Sequence, residues 1–132
     1  MNGQDSADIG RVGITHIDGQ VSGPSGEMLS VRFLVDSGAR YTLLPHEVWS
    51  RLGLVPKRNE QFELADGSVI RRGMSECLVT FSWGDGHTPV ILGEPGDDVA
   101  LLGSVTLEEF GLVLDPLRRS LKRARALLLA VV

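Results

Sequence analysis

At 132 residues, the chain has the length of one domain, enough for a single core that takes about two-thirds of its unfolded surface out of water. A net charge of −4 leaves no basic footprint, which argues against nucleic acid as a partner. No apolar run approaches the ~20 residues of a membrane-spanning helix, so no membrane partner is expected.

Residues 1–10 are polar, lack the cationic and apolar succession of a signal peptide, and are expected to be a flexible N-terminus. Val12, Ile14 and Ile17 begin a first strand. Residues 19–26, with Gly at both ends and a Ser-Gly-Pro-Ser core, read as a loop. A second strand follows over Met28–Val35. Its last residues, Phe33-Leu34-Val35, lack polar alternation and read as buried on both faces. The strand runs straight into Asp36-Ser37-Gly38-Ala39, and residues 41–44 form another strand.

Pro45 suits the first turn of a short helix over residues 45–52, where Val48, Trp49 and Leu52 make an apolar stripe that Gly53 terminates. Residues 61–70 are a hairpin, with Asp66-Gly67 fitting the two positive-φ positions of a type I′ turn. Strands over 74–83 and 88–92 are joined by a Gly84-Asp85-Gly86 turn, and 94–98 is a loop. A buried strand, Val99-Ala100-Leu101-Leu102, runs into Gly103. Thr106 with Glu109 matches a capping box, Leu107 and Phe110 give that helix its buried face, and Gly111 ends it. Residues 112–114 form a strand stopped by Asp115-Pro116. The tail is basic through Arg118, Arg119, Lys122, Arg123 and Arg125, then uncharged over 126–132. With 16 Gly and 6 Pro against 42% hydrophobic residues, the whole reads as all-β or mostly β with one or two short helices.

Chemistry concentrates at Asp36. Burying an ionised carboxylate is costly without partners, yet an apolar strand delivers this one into a turn whose Ser and Gly let the backbone fold back and aim N–H groups at it, with Gly38 free to take positive φ. Taken alone, Asp-Ser-Gly is an ordinary hairpin turn. Cys77, the one cysteine, cannot form an intrachain disulfide and reads as a small core residue, and a reducing cytoplasm is the default compartment. His16, His46 and His87 share no metal-ligand spacing, His46 reads as solvated, and Asp85, Asp97 and Asp98 read as solvated turn carboxylates; no metal and no cofactor are expected.

The flanks of Asp36 resemble the active-site loop of the retropepsin-like aspartic proteases: an apolar strand, Asp-Ser-Gly-Ala, and a Leu43-Leu44-Pro45 exit, followed in order by a hairpin and by two apolar residues and Gly before a helix. The resemblance implies a closed β-barrel, one lobe per chain, over a single domain at 1–132. It implies that Asp36 is catalytic, that Ser37, Gly38 and Ala39 complete its loop, that Ala65, Asp66, Gly67 and Ser68 in a flap hairpin at 61–70 cover the substrate, and that Leu101, Leu102 and Gly103 support the loop. Peptide hydrolysis by this route needs two carboxylates, one ionised to activate water and one protonated to donate to the carbonyl. The chain holds one such motif, so a homodimer is required, with a peptide or protein as substrate. The tail at 117–132 is expected to supply a strand to the dimer interface. The helix at 45–52 is closer to cellular and bacterial members than to viral ones, and Arg40-Tyr41 stand where retroviral members commonly carry acidic residues. Two other readings stay open: a dimer of this fold that binds peptide without cleaving it, and a monomeric barrel in which Asp36 is only a turn residue.

Overall fold

Alternation along the first strands builds one wall of the core. The computed structural model describes residues 15–115 and 120–123, and the expectations for residues 1–10, Val12 and Ile14 lie outside them. In β1 (His16–Ser22), Ile17, Gly19 and Val21 point inward while Asp18 and Gln20 face water. The strand thus runs through Gly19 instead of ending there. Gly19 serves a close approach: a Cβ on it would stand 2.8 Å from the Phe81 ring. β2 (Met28–Val35) pairs antiparallel with β1 and buries Val31, Phe33 and Val35, whereas Leu34 on the other face is only half-buried.

β3 (Thr42–Leu44) leads through Pro45 into α1 (His46–Leu52). The helix stops at Gly53, which takes φ 77°. The Gly53 N–H donates to the Ser50 carbonyl at 3.1 Å and the Leu54 N–H to that of Trp49 at 3.2 Å, satisfying carbonyls that the helix end leaves open. Leu52 is fully buried, and the Trp49 indole N–H donates to the Gly93 carbonyl at 2.7 Å. His46 is half-buried, with its ring edge-on to Trp49.

β4 (Arg58–Glu63) and β5 (Val69–Phe81) form the expected hairpin with a different turn. The Gly67 N–H donates to Leu64 O at 2.9 Å and the Leu64 N–H to Ser68 O at 2.8 Å, so Ala65 and Asp66 are the central turn residues and Gly67, at φ 88°, follows them. This longer loop needs its positive φ after the central pair, not within it. β5 and β6 (Gly84–Leu92) are joined at Ser82 and Trp83; Gly84, Asp85 and Gly86 belong to β6. Trp83 stacks on Phe81 at 4.9 Å, which favours the tighter reversal. β7 (Ala100–Leu102), α2 (Ser104–Glu109), β8 (Leu112–Asp115) and β9 (Ser120–Arg123) complete the described chain. The capping box is not used: Gly103 caps α2, and Thr106 sits inside the helix with its hydroxyl in the core.

The order β1-β2-β7-β3-β6-β5 closes through a β1–β5 pairing into a six-stranded barrel, and β4 hangs from the far part of β5. Most pairings are antiparallel, but β2–β7 and β3–β6 are parallel. The core is filled by Phe33, Leu44, Leu52, Met74 and Leu102, each fully buried and each contributing about 1.5–3 kcal/mol. Cys77 lies in this core, where burial pushes its thiol up to about 12. β8 and β9 pair with each other as a separate two-stranded sheet. The tail strand at 120–123 therefore bonds within its own chain, while 116–119 and 124–132 lie outside the described residues. No helix of the described residues is long and apolar enough to cross a membrane.

Candidate functional site

The loop after β2 is held from several sides. The Val35 N–H donates to the Thr15 carbonyl at 2.9 Å and the Asp36 N–H to the Leu102 carbonyl at 3.0 Å, extending the parallel pairing of β2 with β7 by one residue. The Ala39 N–H then donates to Asp36 O at 3.0 Å and closes a tight turn. Within that turn the Gly38 N–H donates to Asp36 Oδ1 at 3.0 Å, so the carboxylate is oriented by its own loop while remaining exposed. Gly38 does not take positive φ. Its use is space: a Cβ there would press to 3.3 Å from Asp36 Oδ1. Ser37 is exposed, and its hydroxyl makes no hydrogen bond to the carboxylate of its own chain.

Beneath the loop, α2 places its free N–H groups. Those of Ser104 and Val105 donate to the Ala39 and Arg40 carbonyls at 2.8 and 2.9 Å, so the helix start and the loop satisfy one another. The Gly103 N–H donates to Thr42 Oγ1 at 3.1 Å. A Cβ on Gly103 would stand 2.5 Å from the Tyr41 carbonyl carbon, so only glycine fits where strand and loop cross. Leu102 and Gly103 thus lie against the backbone of the loop, and Leu101 pairs with Leu34 of β2. Sequence reasoning missed the polar knot beside them: Thr106 Oγ1 lies 2.6 Å from Thr42 Oγ1 and 2.7 Å from Thr88 Oγ1, all three buried. Three threonines at inward positions of apolar segments were the available signal.

A cleft of about 680 Å³ opens beside the loop that carries Asp36, lined by Gly38 and Ala39 of that loop but not by Asp36 or Ser37. Tyr41, Leu43 and Leu101 line one side, and Phe62, Leu64 and Ile70 of the β4–β5 hairpin line another. Tyr41 bridges the two sides, its ring edge-to-face with Phe62 at 6.2 Å, while the Arg40 guanidinium lies 5.4 Å over the Tyr41 ring. The residues singled out for covering substrate, Ala65, Asp66, Gly67 and Ser68, are exposed at the hairpin tip and line none of the cleft. The lining comes from inward residues farther down the hairpin, Phe62 and Ile70, which period-two alternation across the turn would have found. At the tip, the Ser68 hydroxyl and N–H both donate to Asp66 Oδ1, at 2.6 and 2.9 Å, and hold that carboxyl below its usual range. Among the described residues no group of three or more His, Cys, Asp or Glu side chains is placed to hold a metal ion.

Comparison with known proteins agrees with this arrangement. The family model described as aspartyl protease matches residues 17–104. No curated protein sequence matches the chain. Among solved structures, a retropepsin-like aspartic protease from Rickettsia conorii superposes with a TM-score of 0.57 at 22% identity, covering 80% of this chain and 79% of that one. The retroviral protease-like domain of Ddi1 from Leishmania major gives 0.60 at 16% identity, covering 86% of each chain. The simian foamy virus protease gives 0.52 at 15% identity, over 70% of this chain and 91% of that one. At these identities the likeness establishes the fold, a retropepsin-like barrel.

Proposed function

The chain belongs to the aspartyl protease family, and from that premise we propose that it is an endopeptidase active as a two-fold homodimer, in which Asp36 of each copy supplies one carboxylate of a shared dyad. The observation that carries this reading is the setting of Asp36: a carboxylate at the end of a strand whose inner face is buried, exposed, oriented by the Gly38 N–H at 3.0 Å, in a loop whose Gly38 and Ala39 line an open cleft. Two such loops facing each other across a two-fold axis would crowd two carboxylates, and like charges that close share one proton.

The ionised member accepts a proton from water as its oxygen attacks the peptide carbonyl carbon, and the protonated member donates to the carbonyl oxygen. Collapse of the tetrahedral intermediate breaks the C–N bond, with a proton delivered to the leaving amine. Gly38 keeps the carboxylate aligned, and Ser37, whose hydroxyl is not used by its own carboxylate, is available to the partner loop. The β4–β5 hairpin acts as a flap, adding an extended peptide as a strand while apolar cleft residues take alternate side chains. The fold needs no disulfide, which suits a cytoplasmic setting.

The test is digestion of a diverse peptide mixture from acidic to neutral pH, read by mass spectrometry, with wild type beside Asp36→Asn and with dimerisation followed by sedimentation. Asn keeps the shape and removes the acid–base function, so cleavage should fall by at least about a thousandfold. Cleavage surviving in Asp36→Asn, or by a protein that stays monomeric, would overturn the proposal.

A further inference from the structure

Arg72 is a cation in the cleft with no carboxylate partner among the described residues. It follows Ile70 on the inward face of β5 and lines the cleft. Its Nε is shut away from solvent with no hydrogen-bond partner, and its hydrogen bond within the chain runs from one terminal nitrogen, Nη1, to the Arg71 carbonyl at 3.1 Å. The residue directly across the hairpin is Glu60, the natural cross-strand partner. Glu60, however, is engaged by Arg58, whose Nε donates to Glu60 Oε2 at 2.6 Å. That Nε is closed to an incoming ligand as it is to water, so a carboxylate meets the guanidinium at its second terminal nitrogen, Nη2, which is neither closed off nor engaged by another described residue, through a charge-assisted hydrogen bond.

We infer that Arg72 is a specificity-determining residue that selects an acidic side chain, Glu or Asp, at one subsite on each side of the scissile bond, the two being related by the two-fold axis of the proposed dimer. This rests on the cleft being the peptide site. The selection is local. Glu63, Asp97 and Asp98 also line the cleft, against Arg40 and Arg72, so the lining as a whole does not attract anions. Asp97 Oδ2 is occupied by the Glu94 N–H at 2.8 Å, while Glu63 and Asp98 are exposed. A close hydrogen-bonded pair at Arg72 therefore decides the preference, and it is confined to the position on each side of the scissile bond whose side chain reaches Nη2.

The experiment varies each position of a cleaved octapeptide in turn among Glu, Asp and Gln, and measures kcat/KM for wild type, Arg72→Met and Arg72→Lys. In parallel, binding of the same peptides to Asp36→Asn, with and without Arg72→Met, is followed by fluorescence anisotropy. Wild type should favour an acidic residue over Gln about tenfold at one position on each side of the scissile bond, the scale of a charge-assisted hydrogen bond. Arg72→Met should bring that ratio to near one, and Arg72→Lys should keep part of it. The ratio within one variant does not depend on how much of the protein is folded. No acidic preference, a preference at every position, or one that survives Arg72→Met would overturn the inference. If no peptide is cleaved, the proposed protease activity falls, and the binding ratios decide the role of Arg72 by themselves.

Discussion

Thr42 and Thr106 are 64 residues apart in the chain, yet their hydroxyl oxygens lie 2.6 Å apart in a site closed to water. Thr106 also reaches Thr88, and Thr42 accepts from the Gly103 N–H, so one knot ties β3, β6 and α2 together under the loop that carries Asp36. Thr106→Val should cost about 1–3 kcal/mol in urea unfolding, because it takes the Thr106 partner from the buried Thr88 hydroxyl and leaves that of Thr42 with the Gly103 N–H. Adding Thr88→Val should cost little more, since its partner is already gone; fully additive losses would show that the three act separately.

Gly103→Ala tests the crossing point by steric means. The residue is extended at φ −94°, so alanine suits its backbone and the obstacles are the Tyr41 carbonyl group and, at 2.9 Å, the Arg40 carbonyl oxygen. Overpacking against backbone should cost about 1–3 kcal/mol. If the proposed dyad operates, peptide cleavage should fall further than the folded fraction does, because the displaced segment is continuous with the Asp36 turn. Activity that simply followed the folded fraction would remove Gly103 from the support of the site.

Phe62→Ala should weaken peptide capture. It removes the edge-to-face contact with Tyr41, worth about 0.5–1.5 kcal/mol, along with apolar lining of the cleft. KM should rise about tenfold with a smaller change in kcat. An equal fall in kcat and kcat/KM would instead place Phe62 in transition-state stabilisation.

Asp66 gives the hairpin tip a dependence on acid. Its carboxyl is held below the usual range by Ser68, so the turn gains support above the ordinary carboxylate pKa and loses it as pH falls through the depressed value. Amide exchange over residues 64–69 at neutral pH should be faster in Asp66→Ala than in wild type, and the two should converge in strong acid. A constant difference between them would point to packing, not charge.

Cys77 predicts the opposite limb. Its thiol titrates at about 12 in the fold against 9.0 ordinarily, because burial disfavours the thiolate. Below about pH 9 both states keep the proton and stability is intact. Between these values the unfolded chain ionises first, so stability falls with rising pH, by on the order of 4 kcal/mol at the upper end. Urea midpoints of Cys77→Ala should start lower and decline less steeply over this range. Parallel slopes for the two proteins would contradict the assignment.

What could be read from sequence was what neighbours in the chain decide. The apolar strand into Asp36, the stop at Gly53, the core position of Cys77 and the existence of the β4–β5 hairpin all follow from local pattern. Errors arose where a distant partner intervened. Thr106 has the spacing of a helix cap, but the buried hydroxyls of Thr42 and Thr88 draw it inward and leave Gly103 as the cap. Gly19 has turn composition, yet it serves the Phe81 ring from β5. Arg72 shows nothing in sequence because its meaning depends on register: opposite Glu60, which already holds Arg58.

The parallel pairing of β2 with β7 also carries a consequence in time. Asp36 lies early in the chain, but the carbonyls that accept from its backbone and the N–H groups that hold its turn belong to Leu102, Ser104 and Val105. Contacts between such distant segments form late and slowly. A version of the chain ending at residue 99 is therefore expected to lack an ordered Asp36 turn, which amide exchange across residues 35–40 would reveal. During synthesis, the Asp36 turn therefore lacks the backbone partners that hold it until α2 has emerged.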